Sequence, residues 1–242
     1  REANDIVVVS IFVNPTQFND PEDYRNYPRT READKLRLEE AGVDLAFMPD
    51  EAEMYPEGRQ NLADFDPGYL GQVLEGEKRP GHFEGMATIV KKLLETVKPD
   101  YAYFGQKDYQ QLLIVRELVS TYQLPVSIVS EPIVRESDGL ALSSRNVLLT
   151  PEERELAPVI YQTLKYCRDQ VERDFRPEEL SQEGMDALNR YEAFTLEYFT
   201  IRNAFTLAPV TSAEKPKAVI ILVALGIGKV RLIDNMLAYP FQ

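Results

Sequence analysis

Apolar and polar positions along this chain predict a repeated succession of strand and helix. Residues 6 to 13, Ile6-Val7-Val8-Val9-Ser10-Ile11-Phe12-Val13, are almost continuously apolar and β-branched, the pattern of a strand covered on both faces. A polar loop is expected from Asn14-Pro15 through Asp23. Thr30 to Ala41 has helical periodicity with many charges and is stopped by Gly42; Val43 to Met48 reads as a second short strand, closed by Pro49-Asp50. Residues 49 to 85 are rich in loops, and a stretch of that size in a compact protein is more often functional than idle. Met86 to Lys98 carries apolar residues at 86, 89, 90, 93, 94 and 97, one face of a helix broken by Pro99-Asp100. Tyr101 to Phe104 then predicts a third strand, Asp108 to Tyr122 a helix, and Val126 to Val129 a fourth strand. This alternation points to an α/β domain with a parallel, doubly wound sheet.

The pattern changes after about residue 133. Thr150-Pro151-Glu152-Glu153 is a helix start with a capping threonine, proline in the first turn and acids beside the helix dipole. That helix is expected to run to about Val171, with a second beginning near Pro177. Leu196 to Ile201, Ala218 to Ala224 and Lys229 to Ile233 read as strands, the last two joined by a hairpin at Gly226-Ile227-Gly228. Residues 1–133 and 134–242 are therefore expected to form two domains, the second a smaller α+β unit.

Composition narrows the class. Apolar residues make up 44% and charged residues 28% of 242, which is globular composition rather than long disorder. A net charge of -13 disfavours nucleic acid and anionic membrane as partners, while leaving room for a local basic pocket. Cys167 is the only cysteine, so no intrachain disulfide exists and a reducing, cytoplasmic setting is expected. With His82 as the only histidine, a structural zinc site is not expected. The opening Arg1-Glu2-Ala3-Asn4-Asp5 has no signal-peptide pattern and reads as a helix end feeding a strand.

Several segments could carry chemistry. Phe104-Gly105-Gln106-Lys107-Asp108 lies between a strand and a helix, where backbone N–H groups and a lysine attract phosphate; the bland reading is a turn, a solvated lysine and a cap. Ser143-Ser144-Arg145-Asn146 is a polar cluster between apolar residues, suited to a phosphate chain or to a capped turn. The amides of Asn14-Pro15-Thr16-Gln17-Phe18 could read the hydroxyl and carboxylate of a small substrate, or satisfy their own loop. His82, in Pro80-Gly81-His82-Phe83, could donate to a phosphate, cap a helix or pack. Cys167 reads as a core residue. No Walker loop, dinucleotide fingerprint or nucleophile elbow is present.

Taken together these segments resemble the pantothenate synthetase (pantoate–β-alanine ligase) family. The resemblance is carried by residues 9–18, Tyr27-Pro28-Arg29-Thr30, residues 80–83, Phe104 to Gln111, Leu142 to Asn146 and Arg231-Leu232-Ile233-Asp234-Asn235, in order along the chain. It implies a Rossmann-like, nucleotidyltransferase-like N-terminal domain, a smaller C-terminal domain and a cytoplasmic homodimer. It implies a two-step ligation: pantoate attacks the α-phosphate of ATP, giving pantoyl adenylate and pyrophosphate, and β-alanine displaces AMP, with Mg²⁺ accompanying ATP. Carried over by residue, Gln17, Gln111 and Asn14 would bind pantoate, and Gln17 also β-alanine. Gly105, Gln106, Lys107, Asp108, Val134, Leu142, Ser143, Ser144, Arg145 and His82 would contact ATP. Lys107, Ser143, Ser144 and Arg145 would stabilise the reacting phosphates, with no resident metal on the protein.

Two departures are expected. The family begins about forty residues earlier, with a strand, a Met-Gly turn and two histidines two residues apart, so the chain is expected to lack its first strand and much of its activity. Gln106 stands where family members often carry Glu. The alternatives are adenylation of another small carboxylate, or a non-catalytic nucleotide-binding subunit.

Overall fold

A computed structural model describes residues 2–214 and 216–240. The chain falls into two compact units, one built from the chain up to Ala102 with Ile114–Val129, the other from Tyr103–Leu113 with the chain from Ser130 onward.

In the first unit β1 (Val8–Ser10) runs parallel to β2 (Leu45–Phe47), pairing Val8 with Leu45 and Ser10 with Phe47. Between them stand α1 (Pro21–Asn26) and α2 (Arg31–Glu40). α1 begins inside the loop expected through Asp23 and runs three residues past it. Asp20 caps it through Glu22 N and Pro21 opens it, but no residue of it is buried, so it left no apolar stripe to read. The helix expected after Thr30 forms almost as predicted. Two short helices follow, α3 (Glu51–Met54), closed by a reciprocal Asp50–Glu53 capping box, and α4 (Glu75–Lys78). α5 (His82–Val97) starts a turn earlier than expected, because Gly81 in a left-handed conformation, not a polar side chain, precedes it. Its buried face runs through Phe83, Met86, Ile89, Val90 and Leu94.

β3 (Tyr101–Gly105) and β4 (Ser127–Glu131) form a second two-stranded sheet, connected through a 3₁₀ turn (Gln106–Asp108) and α6 (Tyr109–Thr121).

The second unit contains α7 (Pro151–Leu156), α8 (Val159–Val171), α9 (Pro177–Leu188) and the antiparallel sheet β5 (Phe194–Asn203), β6 (Val219–Ile227), β7 (Val230–Ala238). The single helix expected to Val171 is two, because Pro158 lacks the N–H that would continue it. The Thr150 capping box with Glu153 is present as expected. β6 is the central strand and is buried at nearly every position. Its alternate residues Val219, Ile221, Val223, Leu225 and Ile227 share a core with Ile160, Leu164 and Val171 of α8 and Leu180 and Leu188 of α9. Each such fully buried aliphatic side chain contributes about 1.5–3 kcal/mol. Ile227 pairs with Val230, so the hairpin turn is Gly228-Lys229 and lies later than expected; Gly228 takes φ 55°, which glycine tolerates without strain.

This architecture, a Rossmann-like α/β half followed by a smaller β-rich half, is the fold class expected from the alternation of elements. Among the described residues no helix is long and apolar enough to cross a membrane.

Candidate active site

In the first unit Asn14, Gln17 and His82 come together. Asn14 caps a 3₁₀ turn, Pro15–Gln17, and is buried. Its Oδ1 accepts from the Tyr55 hydroxyl at 2.6 Å and Thr16 Oγ1 at 3.0 Å; its Nδ2 donates to Gly85 O at 3.1 Å and Gln17 Oε1 at 3.2 Å. Burial pushes the Tyr55 hydroxyl up, which keeps it protonated as that donor. The turn can lie this close to α5 only because residue 85 is glycine: a Cβ there would stand 2.2 Å from Thr16 O.

His82 is the first residue of α5 and is buried. Its Nδ1 lies 2.8 Å from Gln17 O, and its Nε2 lies 3.2 Å from Arg79 Nη1. A carbonyl only accepts and a guanidinium only donates, so Nδ1 carries the proton and Nε2 accepts. Both ring nitrogens are therefore engaged, Nδ1 by the Gln17 carbonyl and Nε2 by Arg79, whose Nη2 also donates to Gln17 O at 3.3 Å.

The remaining candidates lie in the second unit. Gly105 ends β3, and Gln106, Lys107 and Asp108 make the 3₁₀ turn that leads into α6, whose first turn carries Gln111. Asn235 of β7 fixes that turn: its Nδ2 donates to Gln106 O at 2.9 Å and Lys107 O at 2.8 Å. Val134 and Leu142 are exposed and sit at the base of a small hairpin. Leu142 N donates to Val134 O, Glu136 N donates to Leu140 O, and Arg135 bridges Ala141. Directly after it Ser143 caps a 3₁₀ turn, Ser144–Leu148, its hydroxyl oxygen accepting from Arg145 N at 3.2 Å.

Two arginines brace the hairpin. Arg154 of α7 reaches Glu136 and Asp138, each at 2.6 Å, and holds the Asp138 carboxyl below its ordinary range. Arg135 donates to Gly139 O, lies over the Tyr161 ring at 4.6 Å and pairs with the buried Asp234. Burial raises the Asp234 carboxyl; the Arg135 guanidinium opposes this without overcoming it. Arg79, Gly85, Arg135 and Arg154 are supporting residues that sequence reasoning did not single out, and Asp234 entered it only within the Arg231–Asn235 block, with no role. Only Asp234 left a trace, a charge set between Ile233 and the apolar end of β7.

Among the described residues no group of three or more His, Cys, Asp or Glu side chains could hold a metal ion.

Comparison with known proteins decides the family. The sequence model described as pantoate-beta-alanine ligase matches residues 1–237. The chain belongs to that family. It is 49% identical over 234 residues to pantothenate synthetase of Stutzerimonas stutzeri, covering 96% of this chain and 81% of that protein. The crystal structure of pantothenate synthetase from Thermus thermophilus superposes with a TM-score of 0.93 at 44% identity, covering 100% of this chain and 86% of that one. The structure of pantoate-beta-alanine ligase from Francisella tularensis complexed with beta-gamma ATP and beta-alanine gives a TM-score of 0.78 at 38% identity, over 98% and 80% of the two chains.

These matches correct one expectation. The resemblance was expected to lack about forty N-terminal residues and a first strand, but the family match begins at residue 1 and the Thermus structure covers the whole chain.

Proposed function

We propose that this chain is a cytoplasmic, ATP-dependent acid–amine ligase that joins pantoate and β-alanine into pantothenate through a pantoyl adenylate. A pantoate carboxylate oxygen attacks the α-phosphorus, the bond to the β-phosphate oxygen breaks, and pyrophosphate leaves. The β-alanine nitrogen then attacks the acyl carbon, the carbon–oxygen bond to AMP breaks, and the amine gives up a proton. No protein nucleophile enters either step.

The observation that carries the reading is the pair of polar segments, 105–108 and 142–145: Asn235 of β7 holds the first directly, and Asp234 beside it holds Arg135 in the hairpin that leads to the second. Charge develops on a five-coordinate phosphorus, and fixed cations and donors stabilise it. In this reading Lys107, Ser143, Ser144 and Arg145 serve the phosphates, Asp108 the ribose and Val134 with Leu142 the base. The positive end of the α6 dipole adds to the phosphate field. Gln17 and Gln111 hold pantoate, and Gln17 also meets β-alanine. The Gln17 amide nitrogen takes no partner among the described residues, which supports a role on substrate. Asn14 and His82 act by holding Gln17. The functional division is put at residue 133, with 134–142 presenting the Ser143–Arg145 segment.

The test is mass spectrometry of a reaction holding ATP, Mg²⁺, pantoate and β-alanine. Pantothenate and AMP in equal amounts, both lost in Lys107→Ala, support the reading. Turnover of a different acid, with pantoate inert, refutes it.

A further inference from the structure

The block Arg231-Leu232-Ile233-Asp234-Asn235 has no assigned contact with substrate, yet β7 buries two polar residues in succession at its middle. Asp234 is 4% and Asn235 3% exposed. Neighbouring residues on a strand point to opposite faces, so such a pair ties two different parts of the structure to one short backbone. Asn235 holds the carbonyls of Gln106 and Lys107 with one amide nitrogen. Asp234 receives both arms of Arg135, at 2.7 and 2.9 Å, and Arg135 Nη2 also donates to Asn235 O at 3.2 Å. Arg135 in turn holds Gly139 O inside the hairpin that ends at Leu142.

We infer that Asp234 and Asn235 are positioning residues for the nucleotide, setting the spacing between the Lys107 turn and the Ser143–Arg145 segment through one rigid strand. The inference rests on the reading of those two segments as nucleotide-binding. Neither residue need touch ATP. A phosphate chain held from two loops demands that both loops be fixed relative to each other, and small misplacement of such groups is costly. Secondary structure alone does not fix their spacing, because both are 3₁₀ turns, one between β3 and α6 and the other after the hairpin loop. A bidentate guanidinium–carboxylate pair and a double amide bond give the direction that a hydrophobic contact lacks.

The experiment measures KM for ATP, pantoate and β-alanine in Asn235→Ala, Asp234→Asn and Arg135→Lys, with Lys107→Ala as reference and a thermal melt for each. The expected result is a roughly tenfold rise in KM for ATP in each positioning variant, with KM for β-alanine within about twofold of the parent. If Lys107→Ala weakens ATP use while the three variants keep the parent KM for ATP, the inference is overturned and the functional reading stands. The inference is also overturned if all three KM values rise together or only the melting temperature falls. If Lys107→Ala itself leaves ATP use unchanged, the assignment of the segments fails, and the inference with it. Should Asn235→Ala not fold, Arg135→Lys decides, since it keeps the charge and removes the two-armed geometry.

Discussion

Arg135 and Asp234, 99 residues apart in sequence, meet through two parallel hydrogen bonds, Nη1 to Oδ2 at 2.7 Å and Nη2 to Oδ1 at 2.9 Å. Removing one partner leaves the other buried and unanswered. Arg135→Ala is expected to destabilise the protein by about 3–5 kcal/mol near neutral pH. Burial already raises the Asp234 carboxyl, and loss of the guanidinium raises it further. An acid whose folded pKa is raised contributes stability below its unfolded value and loses it as pH climbs through the folded one. The deficit of Arg135→Ala should therefore be smaller at about pH 5 than at about pH 8. Urea melts of both proteins at the two pH values check this, and an equal deficit at both contradicts it.

Gly85→Ala probes the contact between α5 and the Asn14–Gln17 turn. The added methyl would lie 2.2 Å from Thr16 O, so the turn must move. A stability loss of about 1–3 kcal/mol is expected, together with a raised KM for pantoate and an unchanged KM for ATP. Steady-state kinetics with each substrate varied in turn would show it.

Cys167 packs on α8 with its Sγ 3.6 Å from Leu180 O, and burial pushes its thiol up to about 12. The thiolate is the reactive form, so iodoacetamide at about pH 8.5 should leave the folded protein unlabelled and modify it on denaturation. Intact-mass measurement before and after denaturation reads the outcome directly.

Arg154 ties Glu136 and Asp138 to α7, and the lowered Asp138 carboxyl contributes stability above its ordinary range that is lost on acidification. Arg154→Met should speed amide exchange at Glu136 and Leu142, the hairpin donors, and leave the β6 amides unchanged. Exchange followed by NMR or mass spectrometry would reveal it.

The features legible in the sequence are those set by local pattern. Thr30 and Gly42 bracket α2, the Thr150–Glu153 box opens α7, and the unbroken apolar run at 218–224 marks β6 as a strand. α1 was illegible because a helix without a buried face has no period, although Asp20-Pro21 signalled its start. The segments of the proposed site were legible, since Lys107 follows a strand end and Ser143 opens a turn. What holds those segments was not legible. The Arg135–Asp234 pair and the Asn235 bonds join residues about a hundred positions or more apart, and no local pattern encodes such a partner.

The most direct test of the central claim follows one atom. Pantoate carrying heavy oxygen in its carboxylate is incubated with the protein, ATP, Mg²⁺ and β-alanine, and the nucleotide product is weighed by mass spectrometry. Attack on the α-phosphorus predicts that one labelled oxygen passes into AMP. Label in inorganic phosphate alongside ADP, or AMP formed without label, would contradict the adenylate route.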